Sequence, residues 1–173
     1  MAHRALALTR IPGTVESADV PQANLLPRVI EMTQARMTFS CADGVPGFEH
    51  VRDRAYYTRA AQVLGLLDRY SAPTLLGRRI VRAEPAEAHA LLRFAFERSD
   101  VGAAWMYWAG ASSTSGICGS TSEAFLTDCT TLSSSTAHRR AKTLRRWVEY
   151  LQAKPTLGPY SQCAGTISRH SKS

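Results

Sequence analysis

Between Arg139 and Lys154 six cations (Arg139, Arg140, Lys142, Arg145, Arg146 and Lys154) stand against one acid, Glu149, so this short stretch holds a net +5 of the chain's +7. Cationic side chains gathered this way suit a phosphate backbone, because each contact releases condensed counterions and Arg offers a planar fork for bidentate bonds. The run Leu132-Ser-Ser-Ser-Thr136 precedes them. Its hydroxyls and the first amides of a following helix make a seat for phosphate. Ser134, Ser135 and Thr136 are therefore candidate phosphate contacts, and His138, Arg139, Arg140, Lys142, Arg145 and Arg146 are candidates for bases and nearby phosphates. A second set opens the stretch Val51–Asp68, where Arg52 and Arg54 precede Tyr56 and Tyr57 and Arg59 follows one turn on. Arg52, Arg54, Tyr57 and Arg59 are its outward candidates, and one of the two tyrosines is expected in the core. The charge pattern of the 136–152 stretch suits the solvated face of an ordinary surface helix equally well.

Signals for catalysis are missing. A metal-dependent nuclease needs an Asp followed by Glu-x-Lys, so that two carboxylates hold the metal beside a lysine. The three lysines (Lys142, Lys154, Lys172) never lie two residues after an acid. The five histidines form no metal-ligand spacing. Glu49, His50 and Asp53 read as ordinary surface residues before they read as a metal site. Gly110–Gly119 lacks the G-K-[ST] of a phosphate loop, and Cys118 has no located base. No catalytic residue is nominated and no cofactor is expected, Mg²⁺ entering only if the chain is a nuclease.

Several helices must position these groups. Residues 1–23, with Pro12, Gly13 and Pro21, read as a flexible N-terminal arm. A first helix is expected from the N-cap Asn24 to about Arg36, on the stripe Leu25, Leu26, Val29, Ile30, Thr33. Gly44, Pro46 and Gly47 then break the pattern. The helix Val51–Asp68 turns Val51, Ala55, Tyr56, Ala60, Val63, Leu64 and Leu67 inward, with Arg52, Asp53, Tyr57 and Gln62 outward. Thr74–Val81 reads as a strand or a helical turn. Glu84-Pro-Ala-Glu87 opens a long helix to Trp108 that buries its aromatic residues rather than offering Trp105, Tyr107 and Trp108 as a stacking platform. Gly110–Gly116 is a mobile loop by composition, and Thr121–Cys129 a short helix. The last helix, Thr136–Gln152, buries Ala137, Ala141, Leu144, Val148 and Leu151, and Pro155 opens a disordered tail, 155–173.

With 173 residues, 45% of them hydrophobic, the chain has room for one domain or two small ones and enough apolar side chains for a core without staples. Eighteen of the 21 cations are Arg, an excess that a GC-rich genome also produces. The four cysteines (Cys41, Cys118, Cys129, Cys163) form no C-x-x-C pair and read as reduced, mostly buried thiols. Met1–Arg10 lacks a signal peptide's apolar stretch, and no apolar run is long enough to span a bilayer. The expectation is a cytoplasmic protein with no membrane contact.

The pattern RAYYTRAAQVLGLLD…PTLLGRRIV, followed by LSSSTAHRRAKTLRRWVEYL, resembles the tandem winged-helix DNA-recognition modules of bacterial restriction endonucleases and related restriction-modification proteins. Tyr56, Tyr57, Leu64, Gly65, Leu66 and Gly77 carry the first half of the likeness. Thr136, Arg139, Arg140, Ala141, Thr143, Leu144 and Trp147 carry the second. The chain departs from that pattern at SCADGVPGFEH, where the family has a regular helix. The resemblance implies a mainly α fold of two winged-helix/helix-turn-helix lobes with short β wings, spanning 24–83 and 84–154. It implies sequence-specific recognition of double-stranded DNA in a restriction-modification or phage-defence system, with a nuclease or methyltransferase partner and room for a homodimer. A transcriptional regulator, a compact endonuclease and a protein-binding adaptor are the alternatives.

Overall fold

In the computed structural model, which describes residues 14–39 and 44–154, the backbone follows the 3.6-residue hydrophobic period of the sequence into seven α-helices. They are α1 (Leu26–Thr38), α2 (Val51–Val63), α3 (Leu75–Arg82), α4 (Pro85–Arg98), α5 (Asp100–Ala109), α6 (Ser122–Cys129) and α7 (Ser134–Gln152). Short 3-10 turns occupy Ser17–Asp19, Thr114–Gly116 and Gly119–Thr121. The described residues contain no β-strand, so the short β wings are absent and that part of the expected fold is corrected. What stands in the first wing's place is one isolated antiparallel bridge between Leu67 and Pro73.

The reason is local. Asp68 closes the turn by accepting the N–H groups of Tyr70 and Ala72 on its Oδ1, both at 2.8 Å. Pro73 has no N–H to extend a ladder. Thr74 then caps α3, its Oγ1 accepting from Gly77 N–H at 3.1 Å and donating to Gly65 O at 2.7 Å. With its bonding groups used in the cap, Thr74–Val81 enters a helix rather than a strand. Gly77 permits this: a Cβ there would lie 2.1 Å from Leu66 O.

Other expected boundaries move for similar reasons. α2 stops at Val63, because Gly65 takes φ +67° and Leu66 N–H reaches back to Ala61 O at 2.8 Å. The long helix to Trp108 is two helices. Ser99 divides it, donating to Phe96 O at 2.7 Å and accepting from Gly102 N–H at 3.1 Å as the cap of α5. Asn24 is not the cap of α1; Leu25 occupies that position, and Asn24 Oδ1 accepts from the Tyr57 hydroxyl at 3.3 Å. The Gly110–Gly116 stretch is anchored. Glu97 accepts from both the amide and the hydroxyl of buried Thr114 at 2.8 Å, and Gln152 Nε2 donates to Thr114 O and Ile117 O.

One apolar core runs from Val15 to Leu151. Trp105 stacks on Phe125 with ring centroids 5.4 Å apart, and Phe96 meets Trp147 edge-on at 6.3 Å. The carbonyls at the end of α7 are satisfied from α4, where Arg93 donates to Leu151 O and His89 Nε2 to Tyr150 O. The part of the expected flexible arm that is described is packed: Val15, Val20 and Ala23 are buried, and Val15 N–H donates to Cys129 O at 2.9 Å. Residues 1–13 of that arm and the expected tail, 155–173, lie outside the described residues.

Candidate nucleic-acid interface

α7 is built with two dissimilar sides. Ala137, Ala141, Leu144, Trp147, Val148 and Leu151 are buried, each at most 3% exposed. Residues on the opposite side of the same helix, His138, Arg139, Lys142, Arg145 and Arg146, are exposed. The i, i+3, i+4 spacing makes this separation. α6 packs against α7 and leads into it through residues 130–133. Thr130 Oγ1 donates to Leu126 O at 2.6 Å and accepts from Leu132 N–H at 3.2 Å, which ends α6 and turns the chain. Ser133 is the N-cap, yet its hydroxyl bonds Thr136 Oγ1 at 3.0 Å and makes no cap bond to the backbone. Ser134 and Ser135 are exposed beside it, with Thr136 half-buried.

The exposed polar side chains differ in how far they are committed. His138 Nδ1 lies 2.9 Å from Glu123 Oε2 on α6, and Arg145 Nε lies 3.9 Å from Glu149 Oε1 one turn on. Among the described residues Arg139, Lys142 and Arg146 stand in no ion pair. Exposed pairs of this kind are worth little and exchange readily for a phosphate.

One outward candidate, Tyr57, is corrected, and two arginines are engaged with the N-terminal segment. Tyr57 is 6% exposed; it packs edge-on against Phe48 at 5.3 Å, with the Arg28 guanidinium over both rings. Burial pushes its phenol pKa up. Tyr56 is the partly exposed partner instead, so the first turns of the inward stripe of α2 are rotated by one residue from the expected ones, while Ala60, Leu64 and Leu67 are buried as expected. Arg59 donates to Ala18 O at 3.0 Å and to Asp19 Oδ1 at 2.8 Å. Arg140 donates through Nη1 to Ser17 O and to Val20 O. Both arginines thus hold the 3-10 turn Ser17–Asp19 in place, because its carbonyls otherwise lack donors where they meet the helices.

Arg52 and Arg139, far apart in the chain, line one pocket of about 120 Å³ together with Gln22, Tyr56, Arg140 and Thr143. Arg52 Nε donates to the Tyr56 hydroxyl at 2.8 Å, which pushes the Arg52 guanidinium pKa up. Burial, and next the charge of Arg139, push that of Arg140 down. Its Nε–H is buried with no hydrogen-bond partner. Arg54 and Arg59 do not line this pocket. Sequence reasoning missed Gln22 and Tyr56; the i, i+4 spacing of Arg52 and Tyr56 marks the second, while nothing local marks the first.

The remaining candidate chemistry is absent from the surface or dispersed. Trp105 is fully buried, and Trp108 Nε1 donates to Asp128 Oδ2 at 3.0 Å, leaving Tyr107 alone exposed of the three aromatics. Among the described residues no three His, Cys, Asp or Glu side chains gather as a metal site, and no helix is long and apolar enough to cross a membrane. Of the two described cysteines Cys129 is buried and Cys118 exposed. The chain matches no family model, no curated protein and no solved structure.

Proposed function

We propose that the chain binds double-stranded DNA through α6, the 130–133 turn and α7, used as a helix-turn-helix unit without a wing. The observation that carries this reading is the outer side of α7, where Arg139, Lys142 and Arg146 lie exposed and, among the described residues, outside any ion pair, opposite a largely apolar buried side. A helix held so firmly from behind presents its cations at fixed spacing to a groove. Ser134, Ser135, Thr136 and the uncapped first amides of α7 would meet phosphate. Arg139 and Lys142, one to two turns in, would reach base edges, with Arg145 and Arg146 on the backbone beyond. Tyr57, buried in the core, leaves the contact set, and Arg59 and Arg140 are engaged with the Ser17–Asp19 turn.

Target recognition in a restriction-modification or phage-defence system, beside a nuclease or methyltransferase, is the biological role this reading favours. Support for it is the likeness of the 132–151 stretch to the recognition modules of such systems. Selection of bound sequences from a random duplex pool at two salt concentrations tests it. Enrichment of one short motif, with affinity falling steeply as salt rises, is the expected result. Recovery of no motif together with salt-insensitive retention would overturn it.

A further inference from the structure

We infer that the pocket between α2 and α7 is a receptor for a single phosphate group. Its lining brings together three guanidinium groups, those of Arg52, Arg139 and Arg140, with Gln22, Tyr56 and Thr143 and no carboxylate. Cations so placed repel one another unless an anion joins them. Two polar groups of the lining residues have a hydrogen left to donate. The Nε–H of Arg140 is buried and unpartnered. The Tyr56 hydroxyl accepts from Arg52, so its own hydrogen remains to be donated. Arg140 is also held in position before any ligand arrives, since its Nη1 is fixed by the carbonyls of Ser17 and Val20.

Size and valence select the ligand. A pocket of about 120 Å³ has room for a tetrahedral oxyanion. A carboxylate has two oxygens to offer, whereas a phosphate presents three or more around one centre and can engage several guanidinium forks together. The pocket lies on the shoulder of α7 that faces α2, beside its outer side, so the inference stands even if α7 reads no DNA. One phosphate chemistry has three sources here: a phosphodiester of a duplex, a terminal phosphate of a strand, or a small phosphorylated ligand.

Isothermal titration of the full chain with inorganic phosphate, at constant ionic strength, tests the site. One phosphate per chain is expected. Arg52→Gln and Arg139→Gln should each weaken it on the order of tenfold, while Arg82→Gln and Arg98→Gln, exposed arginines elsewhere, should leave it unchanged. Thr143→Val, close to isosteric, should weaken it several-fold and keeps the test decisive if an arginine variant unfolds by circular dichroism. Competition by duplexes with 5′-phosphate ends alone assigns a strand terminus. Equal competition by 5′-hydroxyl duplexes assigns the phosphodiester, and no competition by either assigns a small ligand. Absence of one-to-one binding, or equal losses in the pocket variants and the two controls, would overturn the inference. Failure of the DNA reading would show separately, as absent duplex binding alongside intact phosphate binding.

Discussion

Arg59 of α2 and Arg140 of α7 grip the same 3-10 turn: Arg59 bonds Ala18 O and Asp19 Oδ1, while Arg140 bonds the flanking carbonyls of Ser17 and Val20. Two arginines that look alike in sequence to any phosphate-binding neighbour thereby join the N-terminal segment to helices from both halves of the chain. Trp147 Nε1 adds a third tie, donating to Ala23 O at 2.9 Å.

Arg140→Met should therefore destabilise the fold by about 1–3 kcal/mol, because two carbonyls lose a charged donor where water cannot fully replace it. Arg139→Met, at an exposed position on the same helix, should stay within about 0.5 kcal/mol. Urea denaturation followed by circular dichroism separates the two. Equal midpoints for both variants would show that the clamp contributes nothing.

Lys142→Ala and Arg146→Ala should each weaken duplex binding similarly on all sequences and lower the salt slope by about one. Arg139→Ala should instead cost roughly 1–3 kcal/mol on the selected site and little on random DNA. Fluorescence anisotropy over a salt series measures both quantities. Slopes that do not move with Lys142 and Arg146 would remove α7 from the interface.

Gly77→Ala should shift or unravel the start of α3, since the new Cβ would sit 2.1 Å from Leu66 O and 3.1 Å from Thr33 Cγ2. The first neighbour is backbone and cannot swing aside. A loss of about 1–3 kcal/mol is expected, readable as a lower thermal midpoint. Gly44→Ala, at a position with open space around it, should be tolerated. Comparable midpoints for the two would disprove the close approach.

Cys118 should alkylate well before Cys129. Hydrogen bonding with Ser120, whose Oγ lies 3.0 Å from the sulfur, pulls the Cys118 thiol pKa below its usual value, whereas burial pushes that of Cys129 up. A lowered pKa means more thiolate at a given pH, so the rate for Cys118 should rise at lower pH than for an ordinary cysteine. Ser120→Ala should move that rise back toward higher pH. Peptide mapping after iodoacetamide treatment across a pH series resolves the sites, and an unshifted Ser120→Ala profile would count against the hydrogen bond.

Much of the helical layout was readable along the chain. The buried stripe Ala137, Ala141, Leu144, Val148, Leu151 appears in full, because a helix's apolar spacing is a local property and Pro155 and the Ser/Thr run mark its ends. The first turns of the α2 stripe were read one residue out of phase. Ala60, Leu64 and Leu67 are buried as expected, yet Tyr57 and Ala61 are buried where Val51, Ala55 and Tyr56 were expected, and Val51 is 69% exposed. Helical spacing permits both faces; Phe48 and Asn24, brought in from other segments, choose between them. The wing was misread because a Leu-Leu-Gly segment after a tight turn suits either structure, and the Thr74 cap decides it.

Periodicity, capping residues and charge spacing are short-range properties, so the amino-acid order alone yields the mainly helical class, the basic outer side of α7 and the absence of a recognisable catalytic motif. The role of each arginine is a long-range property. A guanidinium bonds a protein carbonyl as readily as a phosphate, and only packing places the carbonyls of residues 17, 18 and 20 beside Arg59 and Arg140. The same packing sets Arg52 against Arg139 around one pocket, a juxtaposition that no spacing along the chain encodes.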